Sequence, residues 1–119
     1  MTFQLACAVD DVRPDEAHAV SLGDVEVAIA RDGEEFFAVQ DLCSHAHVAL
    51  TEGEVEQVDG RCTIECWLHG SRFDLRSGKP SGPPATDPVA TFPVEVRDTP
   101  DGLGVFVDTS TTLNGAPLS

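Results

Sequence analysis

The chain has 119 residues and a mass of 12.6 kDa, enough for one domain with a hydrophobic core. Its 21 acidic residues outnumber its 7 basic residues, and the formal net charge is −14. Nucleic acid is therefore excluded as a partner, because neutralising phosphates requires clustered lysine and arginine. Two explanations of the acidity stay open: attraction of a basic partner, and solvation in a salty cytoplasm.

The amino-terminal residues MTFQLACAVDD contain no basic segment followed by an apolar run. The chain also lacks a stretch of about 18 apolar residues that would span a membrane. We therefore predict a soluble, cytoplasmic protein. In a reducing compartment its four cysteines more often bind metal than form disulfides, and a disulfide framework is the weaker alternative.

Strands and turns dominate the pattern along the chain. DDVRPDEA alone has the character of a helix start, and it is short. Further on, alternating apolar runs meet at Asp-Gly pairs, which predicts hairpins at Asp32-Gly33, Asp59-Gly60 and Asp101-Gly102. An antiparallel β-sandwich or small barrel is expected, followed by a flexible tail at residues 109–119.

Two short motifs combine cysteine with histidine. Cys43 and His45 form C-x-H, and Cys66 and His69 form C-x-x-H. The hairpin between the pairs is expected to place both at one end of a sheet. Structural zinc sites usually present pairs of one residue type, whereas mixed pairs suit a [2Fe–2S] centre with two thiolates on one iron and two imidazoles on the other. Structural zinc and unligated core residues remain the alternatives.

On these motifs the chain resembles Rieske-type ferredoxins over roughly residues 2–108, which we take as one Rieske domain. The resemblance implies an all-β fold, an antiparallel β-sandwich with a small cluster-binding subdomain formed by two ligand loops and a proline loop. It also implies one [2Fe–2S] cluster per chain, with Cys43 and Cys66 on one iron and His45 and His69 on the other.

The proline loop of the family resembles SGKPSGPPATDPV, with Gly82, Pro83 and Pro84 as the expected cover of the cluster. The acidic hairpin between the ligand loops is slightly longer than in small Rieske ferredoxins. Its acidic residues are expected to steer a basic partner toward the cluster: Glu52, Glu54, Glu56 and Asp59.

The resemblance also bears on the reduction potential. High-potential members join the two loops by a disulfide, and the matching positions here are Val48 and Leu68. Ser71 matches a serine that donates a hydrogen bond to the cluster, whereas Phe73 stands where those members have a tyrosine donor. We therefore expect a potential in the lower half of the Rieske span of about −150 to +300 mV.

The sequence also suggests the positions or roles of five other residues. His47 is expected to be a polar loop residue, and His18 an exposed residue near a turn. Cys7 and Cys62 are expected to be small core residues. Trp67, between two ligands, is expected to contact a redox partner.

The resemblance implies a monomeric one-electron carrier between a flavin-containing reductase and a non-haem iron, ring-hydroxylating oxygenase. The chain is not expected to be an enzyme itself. Few histidines remain for a mononuclear iron site, and no G-x-G-x-x-G marks a dinucleotide site. The alternatives are a redox-sensing or iron–sulfur-assembly accessory module, and a fixed subunit of a larger reductase.

Overall fold

The computed structural model describes residues 3–14, 16–33, 35–42, 48–68, 70–82 and 87–116. Within these ranges the regular structure consists of β-strands and two short 3-10 helices, Val9–Asp11 and Leu50–Glu52. The strands are β1 (Gln4–Ala8), β2 (His18–Leu22), β3 (Val25–Asp32), β4 (Glu35–Gln40), β5 (Val55–Val58), β6 (Arg61–Glu65), β7 (Arg72–Asp74), β8 (Thr91–Phe92), β9 (Val94–Thr99) and β10 (Gly102–Val107).

Across the described ranges the strands pair in three antiparallel sheets. One has the order β1-β10-β9, the second β2-β3-β4-β8 and the third β5-β6-β7. The all-β antiparallel architecture predicted from the sequence is confirmed. Cys66 of the second cysteine–histidine motif directly follows β6 of the small β5-β6-β7 sheet.

Strands β3 and β4 form the centre of the molecule because apolar side chains cover both of their faces. One face packs in a core cluster with residues of β8 and β10, which includes Val27, Ile29, Ala38, Phe92, Val105 and Val107. The opposite face packs with the small sheet, in a cluster that includes Ala28, Ala30, Phe37, Val39, Ile64 and Phe73. Full burial of one such large side chain contributes about 1.5–3 kcal/mol. The small sheet is thus attached to the main body by its own core.

The three predicted hairpins are present. At the β5–β6 turn both Asp59 and Gly60 have positive φ, 52° and 79°, as a two-residue type I′ turn requires. The β3–β4 hairpin turns directly after Asp32, and the β9–β10 hairpin just before Gly102. The predicted helix start becomes only the 3-10 turn Val9–Asp11.

The carboxyl-terminal segment makes specific contacts with the sheets as far as it is described. The side-chain amide of Asn114 donates hydrogen bonds to the carbonyl oxygens of Ser77 (2.9 Å) and Val89 (2.8 Å). Ala116 is buried. The domain limit at residue 108 and the flexibility of residues 109–119 stay predictions. In the described ranges, no helix is long and apolar enough to cross a membrane.

Candidate metal centre

The second ligand segment, residues 66–71, connects β6 to β7, and its two described ends are joined by backbone hydrogen bonds. The Cys66 N–H donates to the Ser71 carbonyl oxygen at 2.7 Å, and the Gly70 N–H donates to the Cys66 carbonyl oxygen at 2.8 Å. Gly70 has φ 73°, a left-handed conformation that glycine adopts without steric cost. These two bonds fix the backbone on either side of the Cys66 side chain.

Side chains of this segment divide between the core and solvent. Cys66 and Phe73 are fully buried in the core cluster under the small sheet, and Ser71 is 2% exposed. Trp67 and Leu68 are 51% and 46% exposed. The segment therefore presents a thiol and a hydroxyl on the inside and an apolar surface on the outside.

The first ligand segment, residues 42–50, is described at its two ends. Before it, the buried Asp41 carboxylate accepts hydrogen bonds from the Thr51 N–H (2.8 Å) and from the Thr51 hydroxyl (2.9 Å). At its far end, Val48 and Leu50 pack in the same core cluster as Cys66. The far flank of the first segment therefore shares one core cluster with Cys66 of the second.

The described part of the proline segment lies along β7. Ser81 donates its N–H to the Arg72 carbonyl oxygen at 2.8 Å, and Pro80 forms a β-bridge with Phe73. Gly82 follows, half-buried. Several residues singled out from the sequence lie outside the described residues: Cys43, His45, His47, His69, Pro83 and Pro84. Their places at the site stay predictions.

The remaining cysteines are core residues, as predicted. Cys7 and Cys62 are both buried and free of disulfides. Burial, together with the nearby Asp11 carboxylate, raises the pKa of the Cys7 thiol to about 11. A thiol with that pKa stays protonated at neutral pH and is a poor metal ligand. His18 begins β2 and is half-buried, so its expected exposed position near a turn is wrong.

The residues that form contacts at the bases of the two segments were not predicted from the sequence. Asp41 and Thr51 are ten positions apart, and Arg72 reaches Glu65 across a strand pair at 3.0 Å. The spacing of Glu65 and Arg72 on either side of C-x-x-H was a usable signal, since opposite charges directly across a strand pair attract.

A family model for the Rieske [2Fe-2S] domain matches residues 2–93. The chain belongs to the Rieske [2Fe-2S] domain family. The cofactor of this Rieske protein is accordingly a [2Fe–2S] cluster of the histidine-containing type. The described donor fits that group, because the buried Cys66 side chain lies on a loop with a hydrogen-bonded backbone.

Known relatives of this Rieske protein are ferredoxins of dioxygenase systems. It is 42% identical to the biphenyl dioxygenase ferredoxin subunit of Pseudomonas sp. (strain KKS102), over 92% of this chain and 94% of that subunit. The ferredoxin of carbazole 1,9a-dioxygenase from Nocardioides aromaticivorans IC177 has a similar structure, with TM-score 0.78, 32% identity, and coverage of 90% and 97% of the two chains. The complex of reduced oxygenase and oxidized ferredoxin in carbazole 1,9a-dioxygenase contains a chain of similar structure, with TM-score 0.71, 30% identity, and coverage of 98% of this chain and 97% of that chain.

Proposed function

We propose that this Rieske protein carries single electrons from a flavin-containing reductase to a non-haem iron oxygenase of the ring-hydroxylating type. The observation that supports this most strongly is the 42% identity to a dioxygenase ferredoxin subunit over 94% of its length. The carbazole complex supports the oxygenase as a partner, because a related ferredoxin is paired with an oxygenase there. The reductase is inferred from the resemblance to the family.

Within this function, Cys43 and Cys66 bind one iron and His45 and His69 bind the other. The cluster, when bound, takes up and gives up one electron. Thiolates balance the charge of ferric iron, whereas the two neutral imidazoles leave their iron easier to reduce. His45 and His69 therefore form the side of the site through which the electron enters and leaves. The C-x-H and C-x-x-H motifs and the buried Cys66 support this assignment.

Three neighbours complete the proposed site. Ser71 donates a hydrogen bond to the cluster, in keeping with its near-complete burial beside Cys66. Pro83 covers the cluster on the side of the proline segment. Trp67 contacts the partner, and its half-exposed indole supports that role. Apolar side chains exposed beside a redox centre give a partner a dry contact area at short range.

We further propose that the chain is a cytoplasmic monomer and not an enzyme. A carrier role is supported by its match to nearly the full length of a ferredoxin subunit. Size-exclusion chromatography with light scattering tests the oligomeric state, and a mass near 12.6 kDa is expected.

The ligand set is tested by replacing His45 and His47 with alanine, one at a time. His45→Ala is expected to abolish the optical and EPR signals of a histidine-ligated [2Fe–2S] cluster, because an iron loses an imidazole. His47→Ala is the matched control and is expected to retain one cluster per chain. Iron analysis and EPR of the reduced proteins measure both. An intact cluster in the His45 variant, or stoichiometric zinc in the native protein, contradicts the assignment.

The carrier role is tested by reconstitution. The protein should be reduced by a flavin reductase and reoxidised by a ring-hydroxylating oxygenase at rates that sustain turnover, measured by stopped-flow absorbance. A protein that carries no electrons between them, yet changes its affinity for a partner with redox state, would instead be a redox-sensing module.

A further inference from the structure

The ends of the first ligand segment are joined by a buried carboxylate. Asp41, two positions before Cys43, is 8% exposed, and each of its carboxylate oxygens accepts one hydrogen bond from Thr51. Hydrogen bonds to a charged acceptor are stronger than hydrogen bonds between neutral groups. The segment that contains Cys43 and His45 therefore starts and ends on one fixed contact.

The second ligand segment is closed by an ion pair. Glu65 and Arg72 lie directly opposite each other on β6 and β7, immediately outside Cys66 and Ser71. The Arg72 Nη2 is 3.0 Å from a Glu65 carboxylate oxygen and 3.5 Å from a carboxylate oxygen of Glu56 on β5. Only 26% of the Arg72 side chain is exposed, so solvent screens the pair less than it screens a surface pair.

Gly53 connects these two contacts. A Cβ atom on this residue would lie 1.7 Å from the Glu65 carbonyl oxygen, so the Gly53 backbone rests directly on the residue that precedes Cys66. The Glu65 N–H donates a hydrogen bond to the Glu54 carbonyl oxygen at 2.9 Å. This bond keeps the Gly53 backbone close to Glu65. Thr51 is two residues before Gly53, so a short stretch of chain connects the first contact to the second.

We propose that this loop-base network (Asp41, Thr51, Gly53, Glu65 and Arg72) holds the two ligand segments at a fixed separation and thereby sets how firmly the cluster is retained. Its members are positioning residues that act through the ligands. The inference rests on the ligand set proposed above. Metal ligands require placement within about 0.5 Å, which their own loops achieve only when surrounding contacts restrain them.

The test compares two variants with matched controls. Thr51→Val removes the hydroxyl donor to buried Asp41, and Ser110→Ala removes a hydroxyl donor to buried Asp108, which is remote in sequence from the ligand motifs. Arg72→Gln breaks the ion pair at the loop base, and Arg61→Gln removes an exposed arginine 4.0 Å from Asp74 in the same sheet. Cluster release to an iron chelator, the reduction potential, and the urea unfolding of each protein are measured.

We expect Thr51→Val and Arg72→Gln to release the cluster about tenfold faster than controls of equal unfolding free energy, the lower end of the usual effect of residues behind metal ligands. Their reduction potentials and EPR g-values should also shift. Thr51→Ser, which keeps the hydroxyl, should restore the native release rate. Because the contacts act as one unit through Gly53, the double variant should be little faster than the faster single variant.

Release rates that follow unfolding stability equally in variants and controls would overturn the positioning role while leaving the cluster assignment intact. Effects that multiply in the double variant would overturn the link through Gly53. A native protein without a [2Fe–2S] cluster would overturn the ligand set, and this inference with it.

Discussion

Ser71 has a buried hydroxyl beside Cys66, a proposed cluster ligand, and its loss should lower the reduction potential. A hydrogen bond to the cluster favours the reduced, more negative state, and a differential stabilisation of about 1.4 kcal/mol corresponds to about 59 mV for one electron. We expect Ser71→Ala to lower the midpoint by tens of millivolts, about 59 mV at most for a bond of that strength. Phe73→Tyr, which adds a donor, should raise it. Protein-film voltammetry measures both shifts.

The comparison requires an intact cluster in each variant, which EPR establishes. Phe73 is fully buried, so the tyrosine hydroxyl must find an acceptor in the core of the small sheet. Unchanged midpoints in both variants would mean that Ser71 only shapes the turn and Phe73 only fills the core. A native midpoint well above about +100 mV would contradict the assignment to the lower half of the Rieske span.

Cys7 should be inert toward alkylating reagents in the folded protein. Its pKa of about 11 leaves about one thiolate per thousand thiols at pH 8, and burial restricts access further. Iodoacetamide should label Cys7 only after unfolding in urea, as peptide mass spectrometry would show. Rapid labelling of the native protein at pH 8 would contradict this expectation.

The same pKa shift predicts how stability depends on pH. The folded state holds the Cys7 proton more tightly than the unfolded state does, so the unfolded thiol ionises first. The stabilisation is complete below the ordinary pKa of a thiol and is lost as the pH rises toward 11. Cys7→Ala should lack this alkaline loss.

The acidic side chains in and just before the β5–β6 hairpin should attract a basic redox partner. Glu52, Glu54 and Asp59 are exposed, whereas Glu56 also faces Arg72. We expect the combined change of Glu52, Glu54 and Asp59 to amides to slow oxygenase reduction about tenfold at low salt, the lower end of electrostatic steering. The stopped-flow rates of the native protein and the variant should converge at high salt, where the screening length falls from about 8 Å to about 3 Å.

The control neutralises two exposed carboxylates on the β9–β10 hairpin, Asp98 and Asp101, and the two effects are compared per charge removed. Their loss changes the net charge without altering the hairpin between the ligand segments. If both sets slow the reaction equally, or neither does, the acidity serves solvation. In that case the native protein should instead lose unfolding free energy as salt is removed.

The elements that were predictable from the sequence are those fixed by local chemistry. Asp59-Gly60 identifies its turn because both residues must adopt positive φ, and the structure has this conformation. The pairing of β1 with β10 could not be read in the same way, since its partners are about 100 residues apart. Local periodicity states which residues are buried and leaves open which sheet covers them.

In the candidate site, too, local features could be predicted from the sequence and tertiary contacts could not. The cysteine and histidine motifs could be identified because metal chemistry restricts ligand types and spacing. The contact of Gly53 with Glu65 could not, because it depends on how the turn before β5 lies on the end of β6. A single glycine among acidic residues carries no local sign of that contact.

For the whole molecule, the two-sided burial of β3 and β4 separates a main body from the small sheet. The core with β8 and β10 does not include Cys66 or the flanks of the first ligand segment. The main body can therefore keep its packing when the site is perturbed, whereas the small sheet shares one core with Cys66, Val48 and Leu50. Changes at the site should accordingly disturb the packing of β5, β6 and β7 before that of the main body.

The place of Trp67 gives the protein an intrinsic optical reporter. It is the single tryptophan of the chain, it is 51% exposed, and it follows Cys66 directly. If Cys66 binds iron as proposed, that metal should strongly quench the Trp67 fluorescence, which should recover when a chelator removes it. Emission spectra of native protein and Trp67→Phe test this, since the variant should stay dark throughout. The recovery of this emission would therefore report the loss of the cluster in the intact chain without an added label.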